Sequence, residues 1–172
     1  MTEGAATIET ARLILRPPHL ADVPALFEFL GDADAMRHTH VDLSLRQCRQ
    51  RVAIHERQRR LDGFAPWTIL TKGDGRIIGW GGLYRDPFTP GWGIELGYSF
   101  HPAVWRQGYA TELGMACTEV ADRVLFLPEV KAFAKPENIG SRRVLEKLGF
   151  GEIGFVPELS RWLYRRARPS GS

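Results

Sequence analysis

Several short stretches of the chain alternate apolar and polar residues, or run apolar between turn residues, which is the pattern of β-strands. The first covers residues 7–16 and stops at Pro17 and Pro18, through which a strand does not continue. A Lys-Gly-Asp-Gly sequence at residues 72–75 has the composition of a hairpin turn. The predicted strands are residues 7–16, 64–71, 76–84, 92–100, 129–134, 153–156 and 161–164.

Other stretches repeat their apolar residues every three or four positions, which predicts helices. The predicted helices are residues 19–30, 45–61, 107–124 and 138–148. Ser44 and Asn138 are candidate N-caps of the second and fourth helices, and Gly149 ends the fourth. This order of elements predicts an α+β fold, with a mixed, mostly antiparallel sheet of about six or seven strands flanked by about four helices.

The helix at residues 45–61 has one apolar and one basic face. Leu45, Cys48 and Val52 are expected to face inward, with His55 as a further candidate. The opposite face is rich in arginine between Arg46 and Arg60, which is typical of a solvated face and could also steer an acidic acceptor.

Length and charge exclude several classes of protein. The 172 residues fit one domain, so we expect a single domain over residues 1–172 with an ordered core at about residues 7–167. The formal net charge of +3 gives no indication of nucleic acid binding. Basic residues crowd the C-terminus, which we interpret as a solvated last strand and tail; they are Arg161, Arg165, Arg166 and Arg168.

The cysteines and the N-terminus point to the cytoplasm. Cys48 and Cys117 lie in helical stretches without metal-ligand spacing, so we expect buried reduced thiols and no metal. No apolar run approaches the length of a membrane span, and the early Glu3 with no apolar region after it does not fit a signal peptide.

One strand carries a single carboxylate among small residues. Alternation places Trp92, Ile94, Leu96, Tyr98 and Phe100 on one face of residues 92–100, and Gly93, Glu95, Gly97 and Ser99 on the other. Glycines allow a ligand or another backbone to approach closely, so Glu95 is expected to face the space they leave. A plain solvent-facing strand remains the alternative.

This strand leads through a glycine-containing turn into a helix. Free N–H groups at a helix start favour an anion, so the amides of residues 107–110 could surround a pyrophosphate. Arg106 could add a charge-assisted contact. Further on, Asn138 is a plausible helix cap, with Ser141 one turn later on nearly the same side.

Together these motifs resemble the GNAT superfamily of N-acetyltransferases, and most closely its branch of ribosomal-protein alanine acetyltransferases. The resemblance spans nearly the whole chain. Its motifs stand here as Glu95-Leu-Gly-Tyr98, Trp105-Arg-Gln-Gly-Tyr-Ala-Thr-Glu112, and Asn138-Ile-Gly-Ser141 with Glu146-Lys-Leu-Gly-Phe150. The segments Thr10-Ala-Arg-Leu-Ile-Leu-Arg-Pro17 and Gly73-Asp-Gly-Arg-Ile-Ile-Gly79 also look like this branch.

The resemblance implies acetyl-CoA as the donor and a primary amine as the acceptor. It implies a splayed sheet in which the pantetheine arm of CoA lies as an added pseudo-strand along Tyr98, Ser99 and Phe100. The remaining cofactor contacts that it implies are Arg106, Gln107, Gly108, Tyr109, Ala110, Thr111, Asn138 and Ser141.

Glu95 is the candidate general base, because an amine must lose a proton before it attacks a thioester. Glu95 could instead bind the ammonium group without acting as a base. Many relatives carry a tyrosine on the last helix that protonates the leaving thiolate, and Leu145 stands there in this chain. Ser141 is the substitute acid, and Trp105 replaces the glutamine or arginine that often begins the phosphate motif.

The acceptor amine could be a protein N-terminus or a small molecule. His38 and His40 lie in the loop that shapes the acceptor pocket in such folds, so His40 is a candidate substrate contact. A homodimer is expected from the branch. The alternatives are a non-catalytic acyl-CoA-binding or regulatory module on the same fold, and an enzyme that uses a longer acyl donor.

Overall fold

The computed structural model describes residues 7–171, and in these residues eight strands form one sheet in the order β1-β2-β3-β4-β5-β6-β8-β7. The strands are β1 (Ile8–Glu9), β2 (Leu13–Arg16), β3 (Trp67–Thr71), β4 (Ile77–Arg85), β5 (Ile94–Phe100), β6 (Glu129–Ala134), β7 (Gly151–Val156) and β8 (Arg161–Ala167). Within the described range every neighbouring pair is antiparallel except β5 and β6, which are parallel. The predicted α+β class is confirmed, with one strand more than expected.

Four α-helices flank the sheet: α1 (Val23–Leu30), α2 (Leu45–Asp62), α3 (Tyr109–Glu119) and α4 (Ile139–Lys147). Both predicted N-caps are confirmed. The Ser44 hydroxyl accepts a hydrogen bond from the Gln47 N–H at 3.1 Å, and the Asn138 side-chain oxygen accepts one from the Ser141 N–H at 3.2 Å. The helix predicted for residues 107–124 is α3 followed by a π-helical turn, Val120–Val124.

The helices cover opposite faces of the sheet in two pairs. Leu113 and Cys117 of α3 and Leu145 of α4 pack in one buried cluster with strand residues such as Leu96. On the other face, α1 and α2 pack over Trp80 of β4. Residues that pair across neighbouring strands share a face of the sheet. Tyr84 pairs with Glu95, and Tyr84 lies on the same face of β4 as Trp80, so Glu95 is on the α1–α2 side.

Two sequence expectations are wrong in detail. Residues 7–16 are two short antiparallel strands, because the Thr10 hydroxyl accepts from the Leu13 N–H at 3.0 Å and turns the chain. Leu45 is 50% exposed, since the buried face of α2 begins one turn later at Cys48. Cys48, Val52 and His55 do face inward.

The end of the chain is largely exposed, as expected for a solvated strand and tail, but its arginines make specific contacts. Arg166 makes two hydrogen bonds to Asp122, at 2.9 and 2.8 Å, and Arg165 pairs with Glu129. The guanidinium of Arg168 lies 5.0 Å from the ring centre of Phe126. β8 runs to Ala167, beyond its predicted end, because its backbone pairs with β6 as far as Glu129. None of the helices formed by residues 7–171 is long and apolar enough to cross a membrane.

Candidate active site

Strands β5 and β6 separate at Glu95. Their parallel pairing consists of one residue pair, Glu95 with Lys131. On its other edge β5 stays paired with β4 as far as Phe100. The edge of β5 beyond Glu95 therefore faces a gap instead of a strand. The sequence alone gave no sign of this separation, and only the family resemblance predicted it.

A cavity of about 660 Å³ lies at this gap. One wall comes from β5, β6 and the start of α4, and includes Tyr98, Ser99, Asn138 and Ser141. The other wall comes from α2, β4 and the loop before α2. The structure thus brings together residues predicted from two separate sequence motifs, the strand with Glu95 and the start of the last helix. The other predicted cofactor residues, Phe100 and residues 106–111, lie outside the cavity lining.

Glu95 is buried in the cavity wall, with 5% of its surface exposed. Burial, with a smaller contribution from the nearby Asp86, raises the pKa of Glu95 to about 7. Arg161 and Lys131 act in the opposite direction. At neutral pH this carboxylate can therefore take up or release a proton, which is the property a general base needs.

Aromatic rings line the α2 side of the cavity. The His55 ring lies 5.0 Å from that of Trp80, 5.5 Å from that of Tyr84 and 5.9 Å from that of Phe88, measured between ring centres. Burial lowers the pKa of His55 to about 4, so its imidazole is neutral at physiological pH. The sequence gives His55 as a candidate inward residue but does not predict its contacts with Tyr84 and Phe88, although Trp80 and Tyr84 share a face by strand alternation.

The space beside Gly97 is taken by a neighbouring side chain, where the sequence predicts the close approach of a ligand or another backbone. A Cβ atom on Gly97 would lie 2.7 Å from the Tyr84 hydroxyl oxygen. The glycine therefore accommodates the phenol ring of Tyr84. Tyr84 is also the residue of β4 that lies opposite Glu95 in the sheet. Burial, and to a smaller extent the Glu95 charge, raise the pKa of Tyr84, so its hydroxyl stays protonated.

The turn before α3 has the backbone of an anion site. Gly108 has a left-handed φ of 83° and precedes the first helical residue, Tyr109. The first helical hydrogen bond runs from the N–H of Glu112 to the Gly108 carbonyl, at 3.1 Å. The N–H groups of residues 109–111 precede it and have no acceptor within the helix. The Trp105 indole donates to the Phe100 carbonyl at 2.9 Å and fixes this turn to the end of β5.

A pair of hydroxyls connects β5 to α4. The oxygens of Tyr98 and Ser141 lie 3.2 Å apart. Burial raises the pKa of the Tyr98 hydroxyl, against the effect of its bond to Ser141. Leu145, which stands where relatives carry a tyrosine, is buried in the core. Ser141 and Tyr98 thus form a hydrogen-bonded pair of hydroxyls at this end of the cavity.

The two loop histidines, which are expected on the acceptor side, also line the cavity. The His40 side chain is 57% exposed and lies 3.7 Å from the Asp42 carboxylate, and the His38 carbonyl accepts from Arg161 at 3.4 Å. Arg161 lines the cavity too, which its predicted place in a solvated tail did not suggest. Across residues 7–171, no group of histidine, cysteine and acidic side chains could hold a metal ion.

Comparison with known proteins places this arrangement in a family. The family model described as "Acetyltransferase (GNAT) domain" matches residues 12–151. The chain belongs to the GNAT acetyltransferase family. It is 24% identical over 159 residues to the uncharacterized N-acetyltransferase YnaD of Bacillus subtilis, covering 90% of this chain and 91% of that protein. GNAT proteins are acyltransferases, and the predicted enzyme class is confirmed.

Solved structures support the same assignment. The acetyltransferase from Agrobacterium tumefaciens is 25% identical and superposes with a TM-score of 0.81 over 95% of each chain. The ribosomal alpha-N-protein acetyltransferase RimL, solved in complex with coenzyme A, shares the fold, with a TM-score of 0.74 at 18% identity over 95% of this chain and 98% of that chain. The acetyl-CoA donor that the resemblance implies is consistent with the GNAT domain match and with the coenzyme A bound in this neighbour.

Proposed function

We propose that this GNAT protein is an N-acetyltransferase that moves an acetyl group from acetyl-CoA to a primary amine, with Glu95 as the general base. The position of Glu95 carries the proposal. It is a buried carboxylate in the wall of a cavity, at the point where β5 leaves β6. An amine that enters between α2 and β5 could meet both the carboxylate and a donor lying in the gap.

The chain's residues fit the donor. The unpaired edge of β5 beyond Glu95 suits the amide groups of a pantetheine arm, along Tyr98, Ser99 and Phe100. The left-handed Gly108 and the N–H groups from Gln107 to Thr111, in the turn and the opening of α3, suit a pyrophosphate. Arg106 in the same turn and Asn138 beside the gap are the further contacts we assign to CoA.

Bound acetyl-CoA supplies the thioester that the amine attacks. Glu95 takes the proton of the incoming ammonium, which its pKa of about 7 permits near neutral pH. The amine nitrogen would bond to the acetyl carbon as the carbon–sulfur bond breaks. Ser141, whose hydroxyl is 3.2 Å from that of Tyr98, would donate a proton to the departing sulfur and regain one through the Tyr98 hydroxyl or from water. The walls hold the two reactants together, which supplies a further part of the rate.

The acceptor side of the cavity supports a primary amine on a peptide or small molecule. RimL, which shares the fold, is an alpha-N-protein acetyltransferase by its name, so a protein N-terminus is one candidate class. We assign His40 to the acceptor, because it lines the cavity from an exposed loop. The exposed arginines of α2 could draw an acidic acceptor to the entrance.

Three broader proposals accompany this one. We propose that the chain is a single N-acetyltransferase domain and that it works as a homodimer. We also propose a cytoplasmic location, which the buried free thiols of Cys48 and Cys117 support. Cell fractionation that found the protein outside the cytoplasm would contradict the last of these.

Turnover of acetyl-CoA tests the proposed function. Purified protein is mixed with acetyl-CoA and a panel of N-terminally free peptides and small primary amines, and released CoA is measured with a thiol reagent. We expect release that depends on at least one amine, with mass spectrometry showing the acetylated amine. Binding of CoA without release on any amine would favour the non-catalytic module. A faster reaction with a longer acyl-CoA would change the donor but keep the chemistry.

A further inference from the structure

Arg12 joins the turn between β1 and β2 to the start of α3, almost a hundred positions later in the chain. Its Nη1 donates to the Gln107 carbonyl at 2.9 Å, and its Nε donates to the Glu112 carboxylate at 2.7 Å. Its guanidinium carbon lies 4.3 Å from the ring centre of Tyr109. One side chain therefore contacts residues before, at and after the first helical position.

The turn that Arg12 contacts has a strained backbone. Arg106 has φ 62° and Gly108 has φ 83°, so two left-handed residues flank Gln107. A non-glycine residue is disfavoured in this region and persists where surrounding contacts hold it. The bond from Arg12 to the Gln107 carbonyl falls between these two residues. It therefore acts at the position where the turn needs support.

Glu112 would disturb an anion at this helix start if it were free to move. Its carboxylate lies in the first turn of α3, where a like charge repels phosphate. It accepts hydrogen bonds at 2.7 Å from the Thr10 hydroxyl, the Arg12 N–H and the Arg12 guanidinium. Against the effect of burial, these donors lower the pKa of Glu112 and keep it ionised and paired.

We propose that Arg12 is a positioning residue for the phosphate groups of the acyl donor. It holds the Gln107 carbonyl and the Glu112 carboxylate turned toward the β1–β2 hairpin, which leaves the N–H groups that open α3 directed at the anion. The inference rests on the proposed placement of CoA, because that placement puts the pyrophosphate at this turn. It gives a function to the N-terminal hairpin, which contributes nothing to the lining of the cavity beside Glu95.

Binding of CoA by isothermal titration calorimetry tests the role of Arg12. Arg12→Gln should raise the Kd for CoA by at least about tenfold, the effect of losing a charge-assisted hydrogen bond. The kcat at saturating acetyl-CoA should stay within a few-fold of the parent, because the reacting groups are elsewhere. Arg12→Lys keeps the charge but cannot bridge both partners, so an intermediate Kd is expected. Lys72→Gln is the matched control, since Lys72 lies beside the same hairpin and pairs with Glu9 at 3.2 Å.

Glu112→Gln separates positioning from simple attraction. If Arg12 only attracted phosphate through its charge, removal of the neighbouring negative charge would tighten CoA binding. Positioning predicts weaker binding, because Arg12 loses the partner that orients it. The double variant Arg12→Gln with Glu112→Gln should then bind about as weakly as the weaker single variant, since both changes remove one coupled arrangement.

The outcomes distinguish this inference from the proposed function. Unchanged CoA binding by Arg12→Gln, or tighter binding by Glu112→Gln, would overturn the role of Arg12 and leave the enzyme in place. Absence of CoA binding by the parent protein would overturn the placement of the donor itself. Thermal unfolding without CoA reports whether each variant folds; if Arg12→Gln does not, Arg12→Lys and Glu112→Gln decide the question.

Discussion

Glu95 has two properties that are seldom found together in a structural residue: it is a buried carboxylate, and it faces a cavity. Burial disfavours its charged form, so the protein gives up some stability to keep an ionisable group there. Such a cost is typical of a functional position, and perturbed carboxylates concentrate at active sites. The same cost can be measured without knowing the acceptor.

The stability of the protein should therefore depend on pH through Glu95. Its pKa is about 7 in the folded chain against an ordinary value of 4.5, so the folded state binds the proton more tightly. The contribution of Glu95 to the free energy of unfolding is therefore fully present below about pH 4.5, and it is lost as the pH rises through about 7. Glu95→Gln has no such loss. The free energy of unfolding of the variant, relative to that of the parent, should therefore rise between low pH and about pH 8 by up to about 3 kcal/mol, since one pKa unit corresponds to about 1.4 kcal/mol.

Urea unfolding of both proteins at about pH 5 and about pH 8 measures the difference. Asp122→Asn is the control with the opposite sign. The hydrogen bonds from Arg166 lower the pKa of Asp122, so its contribution to stability is lost only in acid. Its difference from the parent should be the same at both pH values. If Glu95→Gln and the parent changed in stability by the same amount between the two pH values, the pKa of Glu95 would not be raised in the folded protein.

The Tyr98–Ser141 pair makes a kinetic prediction at the same scale. If Ser141 protonates the departing sulfur, Ser141→Ala should lower kcat by about 10²-fold, the low end for a positioned acid, because a thiolate leaves readily. The KM for acetyl-CoA should change little. Tyr98→Phe tests whether the proton comes through the phenol, whose oxygen is 3.2 Å from that of Ser141. Ser44→Ala is the control: it removes a helix cap, so it should lower stability and leave kcat intact. A decrease of only a few-fold in the kcat of Ser141→Ala would exclude Ser141 as the acid.

At the scale of elements, the sequence predicted what depends on neighbours in the chain. The caps at Ser44 and Asn138 are local, as is the alternation that puts Glu95 on the sheet face opposite the α3–α4 core. The structure has all three. The split of residues 7–16 was missed because a single hydroxyl, that of Thr10, bends an otherwise regular alternation.

Long-range features of the site could not be predicted from local pattern. The single β5–β6 pair depends on the path of β6, which pairs along its other edge with β8 from a later part of the chain. The Tyr84 phenol fills the space beside Gly97 from a different strand. Arg12 contacts a turn about a hundred residues later. The splay was expected only through resemblance to a family.

The turn before α3 carries the prediction for this scale. CoA should raise the melting temperature of the parent, because a ligand that binds only the folded state stabilises it by about 2.7 kcal/mol at a hundred times its Kd. Gly108→Val should abolish most of that rise, since valine is strained at φ 83° and the turn must change. Gly63→Val is the control, because Gly63 has φ 85° at the end of α2, far along the chain from this turn. If CoA raised the melting temperature of Gly108→Val as much as that of the parent, this turn would not be part of the CoA site.

For the whole molecule, the two faces of the sheet have separate tasks. The face with α3 and α4 holds the larger core, and the face with α1 and α2 carries Glu95 and the aromatic wall. The donor lies between them in the proposed placement, so it would reach the acceptor side through the gap in the sheet.

The homodimer is tested by mass in solution. Light scattering at working concentration should give twice the mass of one chain, and the value should fall on dilution if association is weak. A monomeric mass across the concentration range would end the proposal of a dimer without affecting the chemistry assigned to Glu95, which needs one chain only.

The pH dependence of kcat/KM in the parent and in Glu95→Gln tests the central claim most directly, with the best acceptor from the amine panel. The account predicts a parent rate that rises through about pH 7, as Glu95 loses its proton. In Glu95→Gln, kcat/KM should be lower by on the order of 10²–10⁴-fold, the acidic limb should flatten, and the Kd for CoA should be nearly unchanged. A variant within a few-fold of the parent at every pH would contradict Glu95 as the base, and a loss confined to acceptor KM would make it an anchor for the ammonium group.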